Sequence, residues 1–464
     1  MNTTQKTFSI RTYGCQMNER DSQAVAQTLE AAGYREAADE AAADIVIVNS
    51  CSVRGKAEDK ALGKVGLLCA GMRERPGLIV GLMGCMAQRL GRDVFKQTPR
   101  LTFSVGTRAA AMIPWILKRA EGGEKRICET GVFDDEELKN NAQEATPAAA
   151  AGDTGRVPLL TAFCTILLGC DRRCAYCIVP DVRGHEHSRM PDKIAEELKE
   201  LARSGAKDVT LLGQSVMRYG IAGFAWPEAL KSPMGFTEPL PRLLEYVSGE
   251  VPEISRWRFT SGHPNGVTPE LVRAMTEVKG VCPHLHLPMQ SGSDRILALM
   301  RRGYDSAAYL ESVRRLRAAV AGIALTTDVI VGFPGETEED FEATRRMMDE
   351  AEFDNAFIFK YSPRPGTPAA AMPDDVTEEE KKRRNQVLLD DQDRRGLAIN
   401  RRLVGTTTEV LAEGPSLRNP ARWAGRDPRN KITVFEPAAN TAAGTIVRVR
   451  ITQAHEQTLL GETL

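Results

Sequence analysis

The sequence has no uncharged stretch approaching the roughly 20 residues that span a bilayer; the run through Leu159 to Cys170 is too short. Residues Met1 to Ile10 lack the continuous apolar core of a secretion signal, so a cytoplasmic location is expected, with no membrane partner. Cysteine is scarce, ten in 464 residues. That excludes the dense disulfide framework of a small secreted domain and leaves reduced thiols that can act as ligands. A dominant sign of charge is also missing: 61 Lys and Arg against 62 Asp and Glu leave a net charge of −1. The whole chain is therefore no polycation drawn to nucleic acid, and any RNA site must be local. There is no repeat of solenoid length, no serine triad and no phosphate-binding loop with its lysine and hydroxyl residue. The length exceeds what one core fills, so two or three domains are expected.

What the sequence does have is a nest of three thiols in Gly169-Cys170-Asp171-Arg172-Arg173-Cys174-Ala175-Tyr176-Cys177. Soft ligands at that density suit zinc or an iron–sulfur cluster. Structural zinc wants four ligands, and no fourth cysteine lies near. His185 and His187 would complete a Cys3His set, yet both lie past Pro180 and Gly184 in a charged loop where a solvated histidine is expected. Three thiolates instead suit a four-iron cubane whose fourth iron keeps an open position for a substrate or cofactor.

A second trio is spread over the first 130 residues. Phe8 to Tyr13, Asp44 to Asn49 and Gly77 to Met83 read as strands, with a helix from Asp21 to Ala32 ended by Gly33. Each strand runs into a cysteine: Cys15, Cys51 and Cys85. Ligands bind beyond the carboxyl ends of parallel strands, so these three can converge although distant in sequence. Any one alone would read as a small buried residue, as Cys69, Cys128, Cys164 and Cys282 do.

Residues 131 to 157 are polar, then alanine-rich, and read as a linker. From 158 to 398, strands at Ala162–Leu168, Asp208–Leu212, Arg256–Thr260, His284–Leu287, Thr327–Val331 and Ala356–Lys360 alternate with helices such as Asp192–Ser204, Pro269–Glu277, Ser306–Ala319 and Thr337–Glu350. Six alternations fall short of the eight of a full barrel and predict a partial (βα)6 barrel with a parallel sheet. Glycines and polar residues gather just after its strands, the face that builds the site in such barrels. The charged run Glu378 to Arg384 reads as a solvated helix face. From 399 to 464, short alternating strands predict a small antiparallel β-barrel. Residues 401 to 464 carry nine Lys or Arg and six Asp or Glu, a net +3. Arg448 and Arg450 point the same way on one strand, and with Lys431 they form the candidate RNA-binding set. Such residues on an exposed strand also need no partner.

Cys-x3-Cys-x2-Cys with Tyr176 before the last cysteine resembles the radical S-adenosylmethionine (SAM) enzymes. Gly14-Cys15-Gln16-Met17-Asn18, Asn49-Ser50-Cys51, Gly84-Cys85-Met86-Ala87-Gln88, Arg183-Gly184, His286 to Gly292 and Tyr361 to Thr367 narrow the resemblance to the methylthiotransferases. The last domain resembles the TRAM module, a compact RNA binder. Ser50 and Ser215 depart from the commonest form of these motifs, and neither is an expected ligand.

The resemblance implies two [4Fe-4S] clusters. One, on Cys170, Cys174 and Cys177, binds SAM and yields a 5′-deoxyadenosyl radical; the other, on Cys15, Cys51 and Cys85, is auxiliary and carries sulfur. Tyr176, Gly213, Gln214, Ser261, Gln290, Ser291 and Val331 are candidates for the SAM pocket, although each also fits ordinary turn chemistry or packing. The implied reaction is methylthiolation of C2 of N6-isopentenyladenosine at position 37 of transfer RNA. A ribosomal-protein aspartate or threonylcarbamoyladenosine as substrate, and a non-catalytic iron–sulfur RNA-binding protein, are the alternatives. An electron donor such as flavodoxin or ferredoxin is implied, and a monomer is expected.

Overall fold

The computed structural model describes residues 5–52, 55–131 and 159–464. The linker expected at 131–157 lies, except for residue 131, outside them. Packing divides the chain into two compact units. The first comprises the described residues up to 131 with the short segments Leu168–Arg172 and Cys177–Arg189; the second comprises residues 159–167, Arg173–Tyr176 and Met190–Leu464.

The first unit is built on a six-stranded parallel sheet, in the spatial order Arg35–Glu36, Thr7–Tyr13, Ile45–Ser50, Ile79–Gly84, Phe103–Val105, Ile127–Glu129. Its central strands, IVIVNS and IVGLMG, are buried at every residue, as expected of parallel strands covered on both faces. Alternation sorts their side chains. Val46, Val48, Val80 and Leu82 pack with Ala61, Val65 and Leu68, while Ile45, Ile47, Ile79 and Met83 pack with Val25, Leu29, Ile113 and Ile116. The first helix, Gln16–Ala31, starts five residues earlier than the sequence suggested because Cys15 itself serves as its cap. It stops at Gly33, whose φ of +92° is the left-handed turn that glycine tolerates.

In the second unit, Thr161–Thr165, Asp208–Leu212 and Arg256–Phe259 form one parallel half, and His284–His286, Ala324–Val331 and Asn355–Lys360 the other. The halves join where the Trp257 amide donates to the Gly280 carbonyl at 2.8 Å and the Cys282 amide to the Trp257 carbonyl at 2.9 Å. Helices Pro191–Arg203, Pro239–Glu250, Pro269–Glu277, Ser306–Ala319 and Glu338–Ala351 cover the strands. Proline in the first turn starts the first three, and Thr268, Asp305 and Thr337 accept capping bonds at the last three.

The charged helix Glu378–Arg401 departs from expectation. Lys381 is only 2% exposed and Arg384 4%, because each finds a carboxylate, Asp374 seven residues before Lys381 and Glu336 48 residues before Arg384. Lys381 Nζ lies 2.7 Å from Asp374, and Arg384 Nη1 lies 2.7 Å from Glu336. The chain ends in a closed five-stranded barrel. Four of its pairings are antiparallel, and the pairing of Ile432–Glu436 with Thr458–Thr463 is parallel.

Candidate active site

In the first unit, Tyr13 pairs with Ser50 and Ser50 with Gly84 across adjacent parallel strands. Cys51 and Cys85 each follow directly and Cys15 follows by two residues, so the register sets all three at one level of one sheet edge. Two buried asparagines hold the edge together. Asn18 Nδ2 donates to Asn49 Oδ1 at 3.0 Å, and Asn49 Nδ2 donates to the Asn18 carbonyl at 2.8 Å and to Ser22 Oγ at 2.9 Å. Asn18 Oδ1 accepts from the Cys15 thiol at 3.3 Å. Gly84, with φ of +97°, leaves room at its Cα for Asn49 Oδ1, which a Cβ would meet at 2.3 Å.

The thiols differ in ionisation. A hydrogen bond with Cys51 is the main influence drawing Cys15 down to about 6; burial opposes it, and Arg183 adds to it. Burial pushes Cys85 up, with Arg183 acting against the rise. Arg183 was noted in the sequence only as part of a motif. Its side chain is 6% exposed and reaches Asp21 Oδ2 at 2.6 Å. Asp21 carries no motif at all; only its place on the face of the first helix beside Asn18 and Ser22 could have singled it out.

The central cysteine loop is divided between the units: Cys170 and Cys177 group with the first, Cys174 and Tyr176 with the second. In the first, the Cys170 amide donates to the Gly184 carbonyl at 3.0 Å. His185 is a solvated histidine, as expected, 88% exposed and 2.7 Å from Asp171. In the second, the loop is strapped from two sides, the Ala175 amide donating to the Met300 carbonyl at 2.9 Å and its carbonyl accepting from the Ala369 amide at 2.8 Å. Buried Arg302 donates to Cys174 Sγ at 3.2 Å and to the Tyr176 hydroxyl at 3.4 Å. Sequence reasoning missed Arg302, which sits in a run of two arginines that reads as surface.

The other pocket candidates divide. Gln214, after the Asp208–Leu212 strand, buries both amide atoms with no hydrogen-bond partner among the described residues. Ser261 and Gln290 hold φ of +60° and +70°, a costly backbone for residues with a Cβ that concentrates at functional loops. Gly213 lies close against the Leu167 carbonyl, which a Cβ would meet at 3.1 Å. Ser291 is fully buried with its hydroxyl 3.3 Å from Thr344, so it ties the loop to a helix. Val331 packs in the main apolar core. Its neighbour Ile330 is the residue on that strand that joins Ala175, Tyr176, Phe333 and Tyr361 in a separate cluster. In the terminal barrel, Arg448 and Arg450 flank buried Val449 and both face out, Arg450 lying 3.2 Å from Glu462. Lys431 does not add free charge to them: its ammonium is held by Asp354 at 2.6 Å and Asn400 at 2.9 Å.

Among the described residues, no three His, Cys, Asp or Glu side chains form a group that could hold a metal ion. The available donors are soft thiols, with Arg183 acting on Cys15 and Cys85 and Arg302 bonded to Cys174, a chemistry that fits an iron–sulfur cluster better than a hard cation. The partnerless amide of Gln214 beyond a strand's carboxyl end fits a polar cofactor. No helix among the described residues is long and apolar enough to cross a membrane.

Comparison with known proteins agrees with this reading. The radical SAM superfamily matches residues 165–348, the uncharacterized protein family UPF0004 residues 7–106 and the TRAM domain residues 401–464. A tRNA-2-methylthio-N(6)-dimethylallyladenosine synthase of Akkermansia muciniphila is 46% identical over 97% of each chain. One of Moorella thermoacetica is 42% identical over 98% of each. Among solved structures, the radical S-adenosylmethionine methyltransferase TsrM from Kitasatospora setae superposes with a TM-score of 0.58, covering 90% of this chain and 84% of its own at 13% identity, a likeness of fold. The chain belongs to the radical SAM methylthiotransferase family.

Proposed function

We propose that this enzyme methylthiolates C2 of N6-isopentenyladenosine at position 37 of transfer RNA. The observation that carries it is the register placing Cys15, Cys51 and Cys85 at one edge of a sheet, in a chain that also holds a radical SAM core. The names of the relatives support the substrate, and the TRAM match supports an RNA partner.

In this reading Cys170, Cys174 and Cys177 hold one [4Fe-4S] cluster and Cys15, Cys51 and Cys85 a second. When bound, the clusters and SAM supply the radical, the methyl group and the sulfur. The chain's own residues do the rest. Arg302 fixes Cys174 and Tyr176, and the straps at Ala175 keep the loop from shifting. Gln214, Ser261 and Gln290 present polar groups where SAM would lie, and Phe333 with Tyr361 closes an apolar wall beside Tyr176 that excludes water from a reactive intermediate. Arg448 and Arg450 offer a local basic face to phosphates on an otherwise neutral protein. A reducing, cytoplasmic setting and an electron donor such as a flavodoxin or ferredoxin complete the reading.

Nucleoside mass spectrometry of transfer RNA from a strain lacking the gene tests it. Loss of 2-methylthio-isopentenyladenosine with accumulation of isopentenyladenosine is expected. Unchanged levels, or loss of a methylthio group from threonylcarbamoyladenosine instead, would overturn the assignment.

A further inference from the structure

Arg183 does more than its place in a short helix requires. The helix Val179–Arg183 is already tied to the first unit without it. The Val182 carbonyl accepts from Thr107 Oγ1 at 2.6 Å, and Ile178 and Val182 pack directly on Cys85. A surface arginine would end such a helix at no cost. This one is instead buried, and burying a guanidinium is expensive unless its charge is answered. Asp21 answers on one edge at 2.6 Å. The adjoining Val182 packs on Cys85, and from beside it Arg183 acts electrostatically on the Cys85 and Cys15 thiols. A guanidinium offers five donors in a fixed fork, so one edge on a carboxylate leaves the other free to face sulfur.

We propose that Arg183, clamped by Asp21, is the positioning residue that sets the reduction potential of the cluster at Cys15, Cys51 and Cys85. It rests on the reading above that these thiolates hold a [4Fe-4S] cluster. The reduced cluster carries one more negative charge than the oxidised one, so a fixed buried cation beside it stabilises the reduced state more. Asp21 works the other way. It keeps Arg183 in place and cancels part of its field, so the pair sets an intermediate value.

The test uses the full chain with Cys170, Cys174 and Cys177 changed to alanine, leaving one possible cluster. It is reconstituted anaerobically with ferrous iron and sulfide and titrated against redox mediators by electron paramagnetic resonance. Arg183→Gln is expected to lower the midpoint, Asp21→Asn to raise it and Arg183→Lys to stay near the parent. Shifts of opposite sign are what a merely structural role would not give. Equal midpoints, or shifts of the same sign, overturn the proposal. Should Arg183→Gln fail to retain iron, Asp21→Asn decides: a midpoint unchanged or lowered overturns it. A parent that assembles no iron and sulfide defeats the cluster reading itself, before any potential is measured.

Discussion

At the residue scale, Gln214 buries an amide that nothing among the described residues answers. A buried polar group without a partner costs about 1–3 kcal/mol, and such a cost is sustained where a ligand supplies the missing bonds. Gln214→Leu is therefore expected to leave the melting temperature unchanged or raise it, while weakening SAM binding by about tenfold, roughly 1.4 kcal/mol. Anaerobic equilibrium binding to the reconstituted enzyme measures this, and an unaltered affinity would remove Gln214 from the pocket. The common level of Cys15, Cys51 and Cys85 was legible because each follows a strand end, a pattern along the chain. Val331 and Lys431 were placed less well because their roles depend on parity and on distant partners. One step along a strand reverses the face, so Ile330 rather than Val331 meets the Tyr176 cluster. Nothing near Lys431 in sequence announces Asp354. The burial of Arg384 escaped notice for the same reason, since Glu336 lies 48 residues before it.

At the scale of elements, loops that carry the candidate residues are braced by side chains from the next helix. Asp340 is the clearest brace. It completes the cap of Glu338–Ala351 with Thr337, accepts from Ser293 Oγ at 2.6 Å and pairs with Arg295. Burial alone would raise its carboxyl, but the bonds from Arg295, Ser293 and Thr337 outweigh that and hold it well below the usual carboxylate range. A depressed folded value means that the stabilisation is complete above the unfolded carboxylate value near 4 and is lost as pH falls toward the folded one. Asp340→Asn is thus expected to cost about 2 kcal/mol at pH 7 and to converge on the parent in strong acid, as denaturant titrations at several pH values would show. A parallel loss across pH would deny the carboxylate its part. Gly169 braces by absence. Its φ is +75°, and a Cβ there would lie 1.9 Å from the His185 carbonyl oxygen, which is backbone and has nowhere to go. Gly169→Ala should cost more than the 1–3 kcal/mol of a left-handed residue alone and reduce iron bound per chain. Iron and sulfide assays against thermal unfolding would separate the two effects, and a variant with full iron content would refute it. The sequence made this glycine visible but not its reason, because the carbonyl that crowds it comes from 16 residues on.

At the scale of the molecule, the second unit keeps the loops that carry its candidate residues and its terminal barrel at opposite ends of the strands. Gly213, Ser261 and Gln290 follow carboxyl ends, whereas Asp208 and Arg256 begin their strands and Asp354 immediately precedes one. Those amino ends moor the barrel. Arg258 spans Asp208 at 3.0 Å and donates to the carbonyls of Pro428 at 2.8 Å and Asp427 at 2.9 Å, while Arg256 donates to those of Arg426 and Glu409. The barrel's predicted strands gave its fold, but its mooring was illegible, since arginines inside a strand such as RWRF read as an exposed edge. An RNA held by Arg448 and Arg450 must therefore extend from the barrel to the other end of the strands, which an elongated transfer RNA can do and a mononucleoside cannot. Arg258→Ala would leave Asp208 and two carbonyls buried and unanswered, a loss of about 3–5 kcal/mol. The expected outcome is a barrel that limited proteolysis releases near residues 401–406, with transfer RNA affinity falling while SAM binding persists. If affinity for RNA and SAM fell together, the mooring would support the whole core and not the reach of the RNA. If neither changed, the buried arginine would have no such part.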